Sequence, residues 1–167
     1  MDPIIRRVTT DDDARRTAAF FAANLTTSYI SHSELQIGRA VDETTWAGDI
    51  ETILHEEILE RLPGRPDGAT MGVWILEEAG AILAMAYLTH VSNARQSYSV
   101  IEDMVVATPA RGSGVGSRLM EFLVAESRRA GSASIFLESG LNNESAHHFF
   151  HKTGFHQVSI VMRKTLD

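Results

Sequence analysis

Six consecutive residues, Arg111-Gly112-Ser113-Gly114-Val115-Gly116, stand between an apolar run and an amphipathic one. Their composition suits an anion better than a core. Glycines remove the Cβ atoms that block close approach, so successive N–H groups and the following helix N-terminus can point at phosphate oxygens. Arg111 can add a charge-assisted contact. Upstream, the strand-like run 98–106 carries Glu102 and Asp103. Alternation would set Tyr98, Val100, Glu102, Met104 and Val106 on one face and Ile101, Asp103 and Val105 on the other. Both faces are largely apolar, and carboxylates near such low-dielectric surroundings suit a proton acceptor. Downstream, helical spacing puts Asn143, His147 and Phe150 on one face. His147 and His151, four apart, could share a metal ion. The zinc-protease pattern, however, needs a glutamate where His148 stands, and no third ligand is evident, so no metal is expected.

Two phosphate-binding classes fail on the residues after the loop. A Walker loop needs Gly-Lys-Ser/Thr, and the chain has Gly116-Ser117-Arg118. A dinucleotide fingerprint needs Gly or Ala where Ser117 stands; Glu138 falls near the ribose-acid distance, but the loop comes too late in the chain for a doubly wound domain.

The string Arg111-x-x-Gly114-x-Gly116 resembles the Arg/Gln-x-x-Gly-x-Gly/Ala loop of the GNAT N-acetyltransferase superfamily. The segment from Asn143 to Phe155, Asn-Glu-Ser-Ala-His-His-Phe-Phe-His-Lys-Thr-Gly-Phe, is similar to that family's second motif, Asn-x-x-Ala-x-x-Phe-Tyr-x-x-x-Gly-Phe. Both occur in the family's order and spacing. The resemblance covers Tyr98 to about His156, while the N-terminal half matches only in element order. It implies a central twisted mixed sheet of six to seven strands flanked by about four helices, and an enzyme that moves an acetyl group from acetyl-CoA to an amine in a ternary complex. It further implies that the backbone of Arg111, Gly112, Ser113, Gly114, Val115 and Gly116 binds the coenzyme A pyrophosphate. Met104, Val105 and Val106 would pair with the pantetheine arm, and Asn143 and Phe150 would flank the thioester.

By the same resemblance Glu102 is the candidate general base, with Asp103 the alternative; either carboxylate could instead pair with an arginine. Many members of the family carry a tyrosine that protonates the leaving thiolate, where this chain has Phe150. His147 could take that role, or the thiolate could leave as such, since a free thiol has a pKa of roughly 8.5.

The elements that must position these groups can be traced along the chain. A strand over 4–8 precedes a helix capped by Thr10 or Asp11 that carries Ala14, Ala18, Phe21 and Leu25 at helical spacing. The pattern is weak from 31 to 48. Ile50, Ile53, Leu54, Ile58 and Leu62 mark a second amphipathic helix ending before Pro63-Gly64. Strands over 71–76 and 81–91 flank a turn at Glu77-Glu78-Ala79-Gly80. A strand over 98–106, a helix over 115–129 and a strand over 134–139 form a βαβ unit, followed by a helix over 143–152 and a final strand over 155–163. The fold class is mixed α/β.

The chain has 167 residues, enough for one domain over 1–167. With 44% hydrophobic and 22% charged residues it should fold throughout. It has no cysteine, which excludes disulfides, thiolate metal sites and cysteine nucleophiles. No signal peptide or membrane-spanning run is read, so a cytoplasmic protein with no membrane partner is expected. A formal charge of −7 argues against nucleic acid. Between 31 and 62 stand Glu34, Asp42, Glu43, Asp49, Glu51, Glu56, Glu57 and Glu60 against Arg39 and Arg61. That field would draw polyamines, aminoglycosides or amine-bearing peptides to an acceptor pocket, unless it is only a solvated surface. Rival readings are a non-catalytic acyl-CoA-binding module and a metal-dependent hydrolase. An exposed final strand could also pair with a second copy to form a homodimer.

Overall fold

The computed structural model describes residues 2–166, which fall into two compact units. The first holds the chain up to Leu25 together with Gly48–Glu138; the second holds Thr26–Ala47 and the chain from Ser139 onward.

In the first unit β1 (Ile4–Arg7) leads into α1 (Asp11–Asn24). Thr10 caps α1 by accepting a hydrogen bond from the Asp13 amide, and Asp11, Asp12 and Asp13 place negative charge in its first turn, where the helix dipole favours it. Ala14, Ala18 and Phe21 are buried, as the spacing predicts. In the second unit lie α2 (His32–Gln36), β2 (Ala40–Asp42) and β3 (Thr45–Trp46). Back in the first unit come α3 (Ile50–Glu60), β4 (Met71–Glu78), β5 (Ala81–Ser92), β6 (Ser97–Val106), α4 (Val115–Arg129) and β7 (Ser134–Leu137). The second unit resumes with α5 (Glu144–Lys152).

Five strands form one mixed sheet in the order β1-β4-β5-β6-β7, antiparallel except for the parallel β6/β7 pair, and β2 and β3 pair separately. Among the described residues seven strands and five α-helices therefore make a mixed α+β fold. Helices cover both faces of the large sheet. Phe21 of α1 meets Tyr87 edge-on at 5.9 Å, whereas Phe122 of α4 packs on Trp74 at 4.8 Å. Trp74 opposes Ala86, which points away from Tyr87's face. β5 runs through the middle, and Ala84, Met85, Ala86, Tyr87 and Leu88 are all buried, as a strand covered on two sides requires. Among the described residues no helix is long and apolar enough to cross a membrane.

Three local expectations change. The β4/β5 turn is two residues, Ala79 and Gly80, both at positive φ, because the tight hairpin twist matches the strands; Glu77 and Glu78 belong to β4. The weak region contains α2, whose Ser31-x-x-Glu34 capping box closes with Glu34 Oε2 accepting from the Ser31 amide at 2.7 Å. The final strand expected over 155–163 is absent, and residues 155–166 carry no helix or strand. A strand exists only where a neighbour supplies its ladder; here the Phe155 amide is taken by Phe150 O at 3.0 Å, and Ile160, Val161 and Met162 are exposed.

Candidate active site

β6 does not alternate through Glu102. On β5, Tyr87 opposes Asp103 and the next residue, Leu88, opposes Ile101, so the register skips Glu102 and makes it the extra residue of a bulge. Directly opposed residues share a face, so Asp103 lies on the face of Tyr87, the one covered by α1. Thr89, two residues beyond Tyr87, shares that face and donates from Oγ1 to Glu102 Oε1 at 2.8 Å. Glu102 and Asp103 therefore sit on one face rather than on opposite ones, and Met104, opposite Ala86, is on the other. Strict alternation fails because the bulge resets the parity of the strand. Asp103 is 3% exposed; the Glu102 side chain is 29% exposed.

The second oxygen of Glu102 belongs to an arginine that sequence reasoning left among the background charges. Arg61 is the C-cap of α3, where a cation complements the helix dipole. Its Nη1 donates to Glu57 O at 2.8 Å, its Nη2 to Glu102 Oε2 at 3.2 Å, and its guanidinium carbon stands 4.9 Å above the centre of the Tyr87 ring. The carboxylate is thus held between a hydroxyl and a guanidinium. No spacing rule would have linked residues 41 apart in the chain.

β7 pairs with β6 only from Tyr98 to Ile101. Past Ile101 no strand among the described residues pairs with that side of β6, so Met104, Val105 and Val106 lie beyond the end of the β6/β7 ladder. The glycine loop follows them in the chain. Gly112 and Gly114 have φ of +79° and +90°, with open space where a Cβ would stand. Gly114 is the N-cap of α4 and offers no side-chain cap, and among the described residues the amides of Val115, Gly116 and Ser117 meet no backbone acceptor. Free amides at the start of a 15-residue helix are a fitting cradle for a pyrophosphate. The Arg111 side chain bonds to backbone carbonyls. Its Nε donates to Val106 O and its Nη2 to Asn24 O, both at 3.2 Å, so it braces the loop against β6 and α1.

In the second unit, Asn143 is the N-cap of α5, its Oδ1 accepting from the Ala146 amide at 3.4 Å. His147 and Phe150 are half-buried along one side of the helix. Phe150 packs edge-on against Phe149 and Phe155 at 5.5 and 6.0 Å. Nδ1 of His151 lies 3.2 Å from Phe155 O.

Residues 39–155 match the model of the Acetyltransferase (GNAT) family. The chain is 33% identical over 118 residues to the uncharacterized N-acetyltransferase YhdJ of Bacillus subtilis (strain 168), covering 70% of this chain and 80% of that one. It is 32% identical over 66 residues to the aminoalkylphosphonate N-acetyltransferase of Salmonella typhimurium, 40% of this chain and 43% of that one. Among solved structures, the tetramutant of BH1408 protein from Bacillus halodurans superposes with a TM-score of 0.75 at 19% identity, covering 98% of this chain and 99% of the other, a likeness of fold.

Proposed function

This chain belongs to the GNAT acetyltransferase family, and from that premise we propose that it acetylates the primary amine of a small cationic acceptor with Glu102 as general base. The family's co-substrate, acetyl-CoA, supplies the activated acetyl thioester. The observation that carries the reading is the bulge. It holds the Glu102 carboxylate on the face shared with Asp103, two residues before Met104, where β6 has run past the end of its ladder with β7.

In this reading the loop backbone between Arg111 and Gly116 holds the pyrophosphate, chiefly through the amides of Gly112, Gly114, Val115 and Gly116, since those of Arg111 and Ser113 already donate to Thr108 O and Ala110 O; residues 104–106 align the pantetheine by backbone hydrogen bonds. Glu102 takes a proton from the acceptor's ammonium, directly or through a water, and frees the nitrogen lone pair for attack. Thr89 steadies the oxygen that it bonds. For the thioester end the reading rests on the sequence motif alone: Asn143 and Phe150 are its candidates there, with His147 the candidate acid for the departing sulfur in place of the tyrosine for which this chain has Phe150. Asp103 is the alternative base.

Exposed acids along α3, Glu51, Glu56 and Glu60, with Asp49 before them, support a cationic acceptor. Glu34 adds nothing to that field, because it is buried against Arg39 and its own capping box. The test is acetyl-CoA-dependent thiol release with polyamines, aminoglycosides, amino acids, peptides and aminoalkylphosphonates, the last being the acceptors in one relative's name. Turnover with a polycation supports the reading. Turnover with aminoalkylphosphonates alone overturns the cationic acceptor, and saturable acetyl-CoA binding with no thiol release would favour the binding-module reading.

A further inference from the structure

We propose that Arg61 occupies the acceptor's ammonium subsite, so that an incoming amine binds by displacing this guanidinium from Glu102. The inference rests on the reading of Glu102 as the residue that receives the amine. Three groups around Arg61 compose a site for an alkylammonium: the Glu102 carboxylate, the Thr89 side chain that orients it, and the Tyr87 ring face under the cation. A carboxylate beside an aromatic face is the combination that binds organic cations. The chain's own cation fills it.

The fit of Arg61 is incomplete in the way expected of a displaceable occupant. A guanidinium normally meets a carboxylate through two parallel bonds of about 2.7–2.9 Å. Among the described residues Arg61 makes one bond to Glu102, at 3.2 Å, and its buried Nε meets no hydrogen-bond acceptor. An unmet buried donor weakens the occupied state and leaves it within reach of a competing ligand. The other end of the guanidinium is anchored to α3 itself through Glu57 O, so release from Glu102 requires no unwinding of the helix. The charge balance favours exchange as well: when an ammonium replaces Arg61, Glu102 keeps a cationic partner until the proton moves.

Arg61 is thus a specificity-determining residue. It excludes neutral compounds, which cannot replace a cation at a carboxylate, and it sets an affinity penalty that every amine must overcome.

The experiment uses butylamine, protonated near neutral pH, as a minimal probe. In the wild-type chain, the NMR signal of the Arg61 Nε–H should shift saturably as butylammonium is added. In Arg61→Met, whose side chain keeps the length but not the charge, butylammonium should bind roughly fivefold to tenfold more tightly, because the competing occupant is gone. Arg61→Lys should stay near wild type, and Arg61→Met combined with Glu102→Gln should lose the gain. An unmoved Arg61 signal, or Arg61→Met binding equal to or weaker than wild type, overturns the proposal. Failure of Glu102 as a base would register separately, as undiminished turnover in Glu102→Gln with the butylammonium results intact.

Discussion

Arg111 Nη2 lies 3.2 Å from the carbonyl oxygen of Asn24, tying the first residue of the glycine loop to the last residue of α1. Asn24 answers from its side chain: Oδ1 accepts from the Thr108 amide at 2.9 Å, and Nδ2 donates to Phe20 O at 2.8 Å. The loop is therefore positioned by a helix some 87 residues away in sequence. Asn24→Ala should loosen this brace and raise the acetyl-CoA KM by roughly fivefold to tenfold, about 1–1.4 kcal/mol, with a smaller effect on kcat. Acetyl-CoA titration at saturating acceptor checks it.

Gly114 carries α4's N-terminus at φ +90°, with nothing within 4 Å of an added Cβ. The cost of a side chain there is one of backbone conformation alone. Gly114→Ala should lower stability by about 1–2 kcal/mol, visible as a lower urea midpoint at unchanged slope. Gly114→Asn should lose less, since asparagine tolerates the left-handed region better.

Acid stability should centre on Arg6. Its guanidinium donates to both oxygens of Asp13, at 2.6 and 2.8 Å, and through Nε to Glu77 at 2.8 Å, joining β1, α1 and β4. Arg6 bonding holds both carboxyls below their ordinary range, and they in turn raise the guanidinium's already high pKa. With folded pKa values below the unfolded ones of about 4, the carboxylates' contribution is fully present above that pH and is lost as pH falls through the folded values. Asp13→Asn should therefore cost on the order of 1–2 kcal/mol at neutral pH and flatten the decline in stability below about pH 5. Urea titrations at several pH values measure both effects.

Much of the first unit was legible because its signals are local. Thr10 and the acids after it announce α1, and the glycines after Val106 announce a strand-to-helix turn. The bulge at Glu102 was not legible: it is a property of the β5/β6 register, and no residue in 98–106 advertises it. Arg61 escaped for a related reason, since its bond to Glu102 arises where the end of α3 meets the middle of β6. The absent final strand shows the converse limit. Residues 155–163 have strand composition, but composition cannot supply a neighbouring edge. The Ser31-x-x-Glu34 box was a readable signal for α2, passed over because the helix it opens has only five residues.

The most direct test of the proposed chemistry is single-turnover acetyl transfer by Glu102→Gln, an isosteric change that keeps hydrogen-bonding capacity and removes the proton acceptor. With acetyl-CoA and the acceptor identified by thiol release both saturating, the rate should fall by roughly 10²-fold or more near neutral pH, while acetyl-CoA affinity stays within a factor of about two. A Glu102→Gln chain that transfers acetyl at the wild-type rate across the pH range would contradict the assignment and leave Asp103, on the same face, as the carboxylate to replace next.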